Sequence, residues 1–183
     1  MSGRRGLITA MGAFVVLLVV TGAIAYTRFQ PLTAANSSGC GPGTFGPHVV
    51  RPTYREGGTC SVGFSLLNGG QIPIRVTSIR GTGPGFLLTT TAVKLALPSA
   101  GGQTAPKDPA LEPFAPFTLG RGSQRWIALI NRFGGCDRYA PGTSTTWVRT
   151  EVTFEVLGIP RHQWVRLPMQ VEVTSPTECP DRS

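Results

Sequence analysis

Acidic residues are scarce in this chain of 183, nine against seventeen lysines and arginines, and histidine appears only twice, at His48 and His162. With so few groups able to move a proton near neutral pH, general acid–base catalysis has few residues to draw on. No G-x-S-x-G elbow, H-E-x-x-H helix or Walker loop is present, so the common hydrolase, metalloprotease and nucleotide-hydrolysing signatures are missing. Gly81 to Gly85, GTGPG, lacks the Lys-Ser or Lys-Thr that a phosphate loop needs, and reads as a turn. The four cysteines contain no C-x-x-C pair, and their spacings of 20, 76 and 43 do not suit a zinc site. Long helical periodicity is missing too. These absences point away from an enzyme, and no cofactor, metal or nucleic-acid partner is expected.

What the chain does have is one uncharged apolar run, Gly6 to Tyr26. As a helix it would span roughly 30 Å, the thickness of a bilayer core. Arg4 and Arg5 precede it, which places the N-terminal tip in the cytoplasm and the remaining chain outside. A cleavable signal peptide is the rival, since Ala23-Ile24-Ala25 fits a small-x-small cleavage pattern and the paired arginines admit twin-arginine export. The length of the run, and Tyr26 and Phe29 at its outer end, favour a retained anchor. The expected organisation is a cytoplasmic tip and transmembrane anchor over 1–26, a stalk over 27–58, and an extracytoplasmic domain with a C-terminal tail over 59–183. The expected location is the cell membrane, in single-pass topology.

Beyond the anchor lie all four cysteines, Cys40, Cys60, Cys136 and Cys179, where disulfides persist. Four cysteines allow three pairings. Cys40 to Cys60 and Cys136 to Cys179 are favoured, the first tying the stalk to the first strand and the second tying the tail to the end of an inner strand. The part from Thr27 onward carries a formal charge near +6, fifteen basic residues less nine acidic. Such a surface suits anionic headgroups or wall polymers, though charge also serves plain solubility.

Four prolines and several glycines between Thr27 and Gly58 argue against helix or central strand, hence the stalk. Then TCSVGFSLLNGGQIPIRVTSI shows two alternating runs around Asn68-Gly69-Gly70, which predicts a hairpin. Phe86 to Leu97 supplies one or two strands. Five prolines between Pro98 and Phe117 mark a long loop, and RWIALINRF, apolar on both sides, predicts a central strand. A second hairpin follows around Gly158-Ile159-Pro160. Its alternation sends Val148, Val152, Phe154 and Val156 inward with Val165, Leu167, Met169, Val171 and Val173.

The outward set is then Trp147, Arg149, Glu151 and Glu155, facing His162, Trp164, Arg166, Gln170 and Glu172, with Glu155 expected close to Trp164 and diagonal to Arg166. Tryptophan and arginine are enriched at binding hot spots, so Trp147, Arg149, Trp164 and Arg166 form the candidate interaction face. The competing reading is that the stalk or the proline-rich loop covers them.

The hairpin FSLLNGGQIPIRVTSI, the segment PFTLGRGSQRWIALI and the closing pair VTFEVLG and LPMQVEV together resemble the immunoglobulin-like or fibronectin-III-like sandwiches of exported bacterial proteins. The resemblance implies an all-β, antiparallel sandwich of about seven strands after one N-terminal transmembrane helix. A single anchor, arginine in excess of lysine and abundant Ala, Gly and Pro are also similar to small membrane proteins of high-GC Gram-positive bacteria. Two functions of different class follow. One is an interaction or adhesion module binding an envelope protein or an anionic envelope polymer through its loops and one sheet face. The other is a structural accessory of an envelope complex whose anchor helix, residues 6–26 in the lipid bilayer, makes the main contacts.

Overall fold

The computed structural model describes Val16, Leu17, Val20 and residues 29–83, 85–96 and 110–179. The chain divides into two compact units, Met1–Pro31 and Leu32–Ser183. In the first, Val16, Leu17 and Val20 are helical and exposed. The remainder of the expected anchor lies outside the described residues, as do 97–109 of the proline-rich loop and 180–183 of the tail. Among the described residues no helix is long and apolar enough to cross a membrane.

The second unit is built almost wholly of strands: β1 (Leu32–Ser38), β2 (Gly43–Phe45), β3 (Val49–Pro52), β4 (Thr59–Asn68), β5 (Ile74–Arg80), β6 (Leu88–Ala96), β7 (Leu111–Pro113), β8 (Phe117–Leu119), β9 (Gln124–Phe133), β10 (Ser144–Val156) and β11 (Ile159–Thr174). They form two sheets, ordered β1-β4-β9-β6-β7 and β2-β3-β11-β10-β5-β8. Alternating apolar residues of both sheets fill the space between: Val62, Phe64 and Leu66 from β4, Ile127 and Leu129 from β9, Val76 from β5, Val152 and Phe154 from β10, and Val165 from β11 are all nearly or wholly buried. The all-β expectation is met, and β9 is central in its sheet as its two-sided apolar character predicted.

Several expectations are corrected. The stretch 27–58 is more than a stalk, because β1, β2 and β3 fall within it. Its prolines take places where a missing N–H costs little: Pro31 precedes β1, Pro42 precedes β2 and Pro52 ends β3. The arrangement is also not purely antiparallel, since β3 runs parallel to β11 at Gln170 and Val171, and among the described residues eleven strands stand where about seven were expected.

A further correction concerns β4 and β5, which are not a hairpin. β4 pairs with β1 and β9, and β5 pairs with β10 and β8 in the other sheet. Asn68, fully buried, makes the crossing. Its Nδ2 donates to the carbonyls of Ile72 and Leu119 at 3.0 and 3.1 Å, and its Oδ1 accepts from the Gly70 amide at 2.9 Å. With its backbone also bonded to Ser123 and Gly122, every polar group of Asn68 has a partner. Alternation alone cannot separate a hairpin from a crossing, because both put the same residues in one core.

β10 and β11 do form the closing hairpin, through Leu157 and Gly158, both at positive φ (51° and 79°) as a two-residue reversal requires. Near its open end, β10 advances two residues from Trp147 to Arg149 while β11 advances five from Val171 to Arg166. Pro168 sits inside that excursion. The bulge inverts the expected facing of β10 there: Trp147 is buried, whereas Val148 is partly exposed.

Cys40 is joined to Cys60 and Cys136 to Cys179, the pairing favoured from sequence, with Cα separations of 4.9 and 5.8 Å. The first fastens the chain after β1 to the start of β4. The second ties the end of the chain to the short 3-10 turn Cys136–Arg138 that follows β9. Closing the 43-residue span should contribute about 3–4 kcal/mol in the chain-entropy picture. Urea unfolding of the Cys136→Ser/Cys179→Ser double variant should show a loss of that size. A change under about 1 kcal/mol would mean the tail is held by other contacts.

Candidate interaction site

The candidate face sits on the bulged half of the β10–β11 hairpin. Register places Arg149 directly opposite Arg166, and Glu151 opposite Trp164. Arg149 and Arg166 are exposed, and Trp164 is 52 % exposed. The Arg149 guanidinium carbon lies 4.9 Å from the Trp164 ring centroid, a cation–π contact that holds the arginine over the indole.

Trp147, expected on this face, is 7 % exposed and belongs to the interior. Its indole N–H donates to the Arg149 carbonyl at 2.6 Å, so it braces the bulge from within. Three of the four proposed residues therefore meet on the surface, and the fourth supports them from below. Glu155 is also displaced from its expected place. It pairs with Pro160 rather than approaching Trp164, because the reversal uses Leu157 and Gly158, and its carboxylate meets Arg75 at 3.4 Å.

The charges decide what this surface favours. Each glutamate of the hairpin is engaged by an arginine from elsewhere: Glu151 by Arg80 at 3.9 Å, Glu155 by Arg75, and Glu172 by Arg51 at 2.8 Å. Arg149 and Arg166 have no carboxylate partner among the described residues. Like charges directly opposite on neighbouring strands repel, so an anion placed between them would remove an unfavourable term as well as add an attractive one.

Two depressions meet at this point. One, about 350 Å³, is lined by Val148, Arg149, Trp164 and Arg166. The other, about 580 Å³, runs between β1 and β11 and shares Trp164 and Arg166, with Ala34, His48 and Gln163 on its walls. Sequence reasoning placed His48 in a stalk and did not single out Gln163. Gln163 is buried, its Nε2 donating to the Leu32 carbonyl at 2.6 Å and its Oε1 accepting the Leu32 amide at 3.1 Å. Its position in the chain carried a signal, a polar residue at an inward-facing place in an otherwise apolar alternation.

His48 lies in the larger groove and His162 is exposed on the hairpin. Among the described residues no group of three or more His, Cys, Asp or Glu comes together to hold a metal ion. The Tyr54 phenol is pushed upward, mainly by burial and then by its hydrogen bond to Glu56, but it packs edge-on against Phe133 and lines neither depression.

No protein-family model matches the chain, and no curated protein matches it. Among solved structures it is similar to the VesB protease of Vibrio cholerae, with a TM-score of 0.39 and 10 % identity over 84 % of this chain and 34 % of that one. The chain thus spans about a third of the length of that protease. It is similar to the ASH/PapD-like domain of human CEP192 with a TM-score of 0.36 and 10 % identity, covering 81 % and 87 % of the two chains. It is also similar to the apo PmoF2 PCuAC domain with a TM-score of 0.35 and 12 % identity, covering 83 % and 93 %.

Different burial of the two tryptophans sets their roles apart. Trp147→Ala should cost about 3–5 kcal/mol in urea unfolding, as expected for emptying a core site, while Trp164→Ala should change stability by about 0.5 kcal/mol or less. Acrylamide should quench Trp164 readily in the parent protein. Equal costs for the two substitutions would contradict this assignment.

Proposed function

We propose that the chain is an extracytoplasmic interaction module that binds without catalysis, held at the cell membrane by residues 6–26. Its partner is an anionic component of the envelope, a protein or a polymer. The observation that carries this reading is the cross-strand pair Arg149 and Arg166, exposed beside Trp164 and lacking a carboxylate partner among the described residues. Two disulfides support an oxidising compartment, since such bridges persist outside the cytoplasm. The two-sheet architecture agrees with a relation to exported immunoglobulin-like sandwiches, with the parallel β3–β11 pair as a departure from their usual pattern.

On this reading the full chain should bind isolated envelope fractions in a salt-sensitive way, and Arg149→Gln/Arg166→Gln should abolish binding while leaving the melting temperature unchanged within about 2 °C, as befits surface substitutions. Replacing residues 6–26 by an unrelated spanning helix should leave binding intact. Binding that survives the double arginine variant but is lost with the replaced helix would instead assign the contacts to the anchor.

A further inference from the structure

The larger depression is bounded by strand edges that the fold leaves open. β3 pairs with β11 only at Gln170 and Val171, and the chain leaves that lane at His48, whose carbonyl accepts the Gln170 amide at 2.9 Å. From Ile159 to Pro168 no strand among the described residues pairs with this edge of β11, and β1 of the other sheet approaches it at Gln163. Which backbone groups face it follows from the hairpin. A two-residue reversal closes on a hydrogen-bonded pair, here Val156 with Ile159, and bonded and non-bonded pairs then alternate. His162, Trp164 and Arg166 fall on non-bonded pairs, so their N–H and C=O groups point away from β10 toward this unpaired edge. Pro160 falls in the same set, at a place where its missing N–H breaks no ladder bond.

The opposite wall tells the same story. Leu32 directs both its N–H and C=O to the Gln163 side chain, away from β4. Two residues on, Ala34 directs its own pair to the same side, and Ala34 lines the groove. Among the described residues, β11 therefore presents to the groove a row of peptide groups that no strand pairs, with Ala34 facing them from β1 and Arg166 and Trp164 at the rim.

We propose that this groove receives an extended, acidic peptide segment of a partner protein, which adds as a strand to the free edge of β11 in line with β3. The inference rests on the binding reading above and specifies its partner. Main-chain hydrogen bonds to Trp164 and Arg166 would supply register, as in other strand additions. Acidic side chains on alternate residues of the segment would project to the outer face, where Arg149 and Arg166 await an anion. A polysaccharide could answer the arginines, but it could not pair with a peptide ladder. The open edges therefore favour a peptide.

The test is selection of random decapeptides displayed on phage against the immobilised full chain in detergent micelles. The expected binders carry Asp or Glu at alternate positions, weaken at least tenfold when every second backbone amide is N-methylated, and lose about tenfold in affinity with Arg166→Gln. N-methylation in the other alternate register should have little effect, because only one edge of the added strand faces β11. Binders that depend on Arg166 but tolerate N-methylation in both registers would overturn strand addition while leaving the charged face as a binding site. Absence of any binder would overturn the proposal. So would self-association of the chain through β11, or a groove already filled by the chain's own proline-rich segment, each shown by crosslinking from position 164 to a second copy or to residues 97–109.

Discussion

The side-chain amide of Gln163 joins the two sheets along one side of the sandwich. It donates to and accepts from the backbone of Leu32, so that a residue of β11 meets the edge strand β1 of the facing sheet as a peptide group would. Leaving either Leu32 group or the Gln163 amide unpaired in this buried place would cost about 1–3 kcal/mol per group. The pair sits at the first residue of β1, and the groove runs past it between Ala34 and Trp164. The position of Trp164 at the rim follows directly, because Gln163 facing inward turns its neighbour outward.

The bulge opposite Val148 adds the second constraint. An uninterrupted hairpin would have kept Trp147 and Arg149 on the same face, two residues apart. By inserting extra residues on β11 and turning Trp147 into the core, the bulge places a tryptophan below the surface and an arginine above it, tied by the bond from the indole to the Arg149 carbonyl. The cross-strand meeting of Arg149 and Arg166 is thus a product of register. Neither residue gains a carboxylate partner among the described residues, and the arginines that do pair with the hairpin's glutamates come from β3 and β5.

Much of this could be read in the sequence, for identifiable reasons. Strand positions such as β9 and the β10–β11 hairpin announced themselves through alternation and two-sided apolar character, while the disulfide pairing was one of three that the sequence allows, favoured there without being determined. Exposure of Trp164, Arg149 and Arg166 was visible in the same alternation. What escaped was whatever depends on pairing between distant segments. The partnership of β1 with β4 and of β3 with β11 joins residues far apart in the chain, and a proline-rich composition hid both. The β4–β5 crossing mimicked a hairpin because the Asn68-Gly69-Gly70 turn chemistry serves either geometry. The bulge broke the parity of β10 at one residue, which was enough to move Trp147 from the expected face to the core.

Hydrogen exchange at individual amides of the unliganded full chain tests the central claim most directly, that Gln163 closes one end of a groove whose strand edges are otherwise open. The Leu32 amide should exchange slowly and become fast in Gln163→Leu, while the amides of Ala34, Trp164 and Arg166 exchange fast in both proteins. Slow exchange at Ala34, Trp164 and Arg166 in the parent chain would contradict the account, because those groups would already be paired.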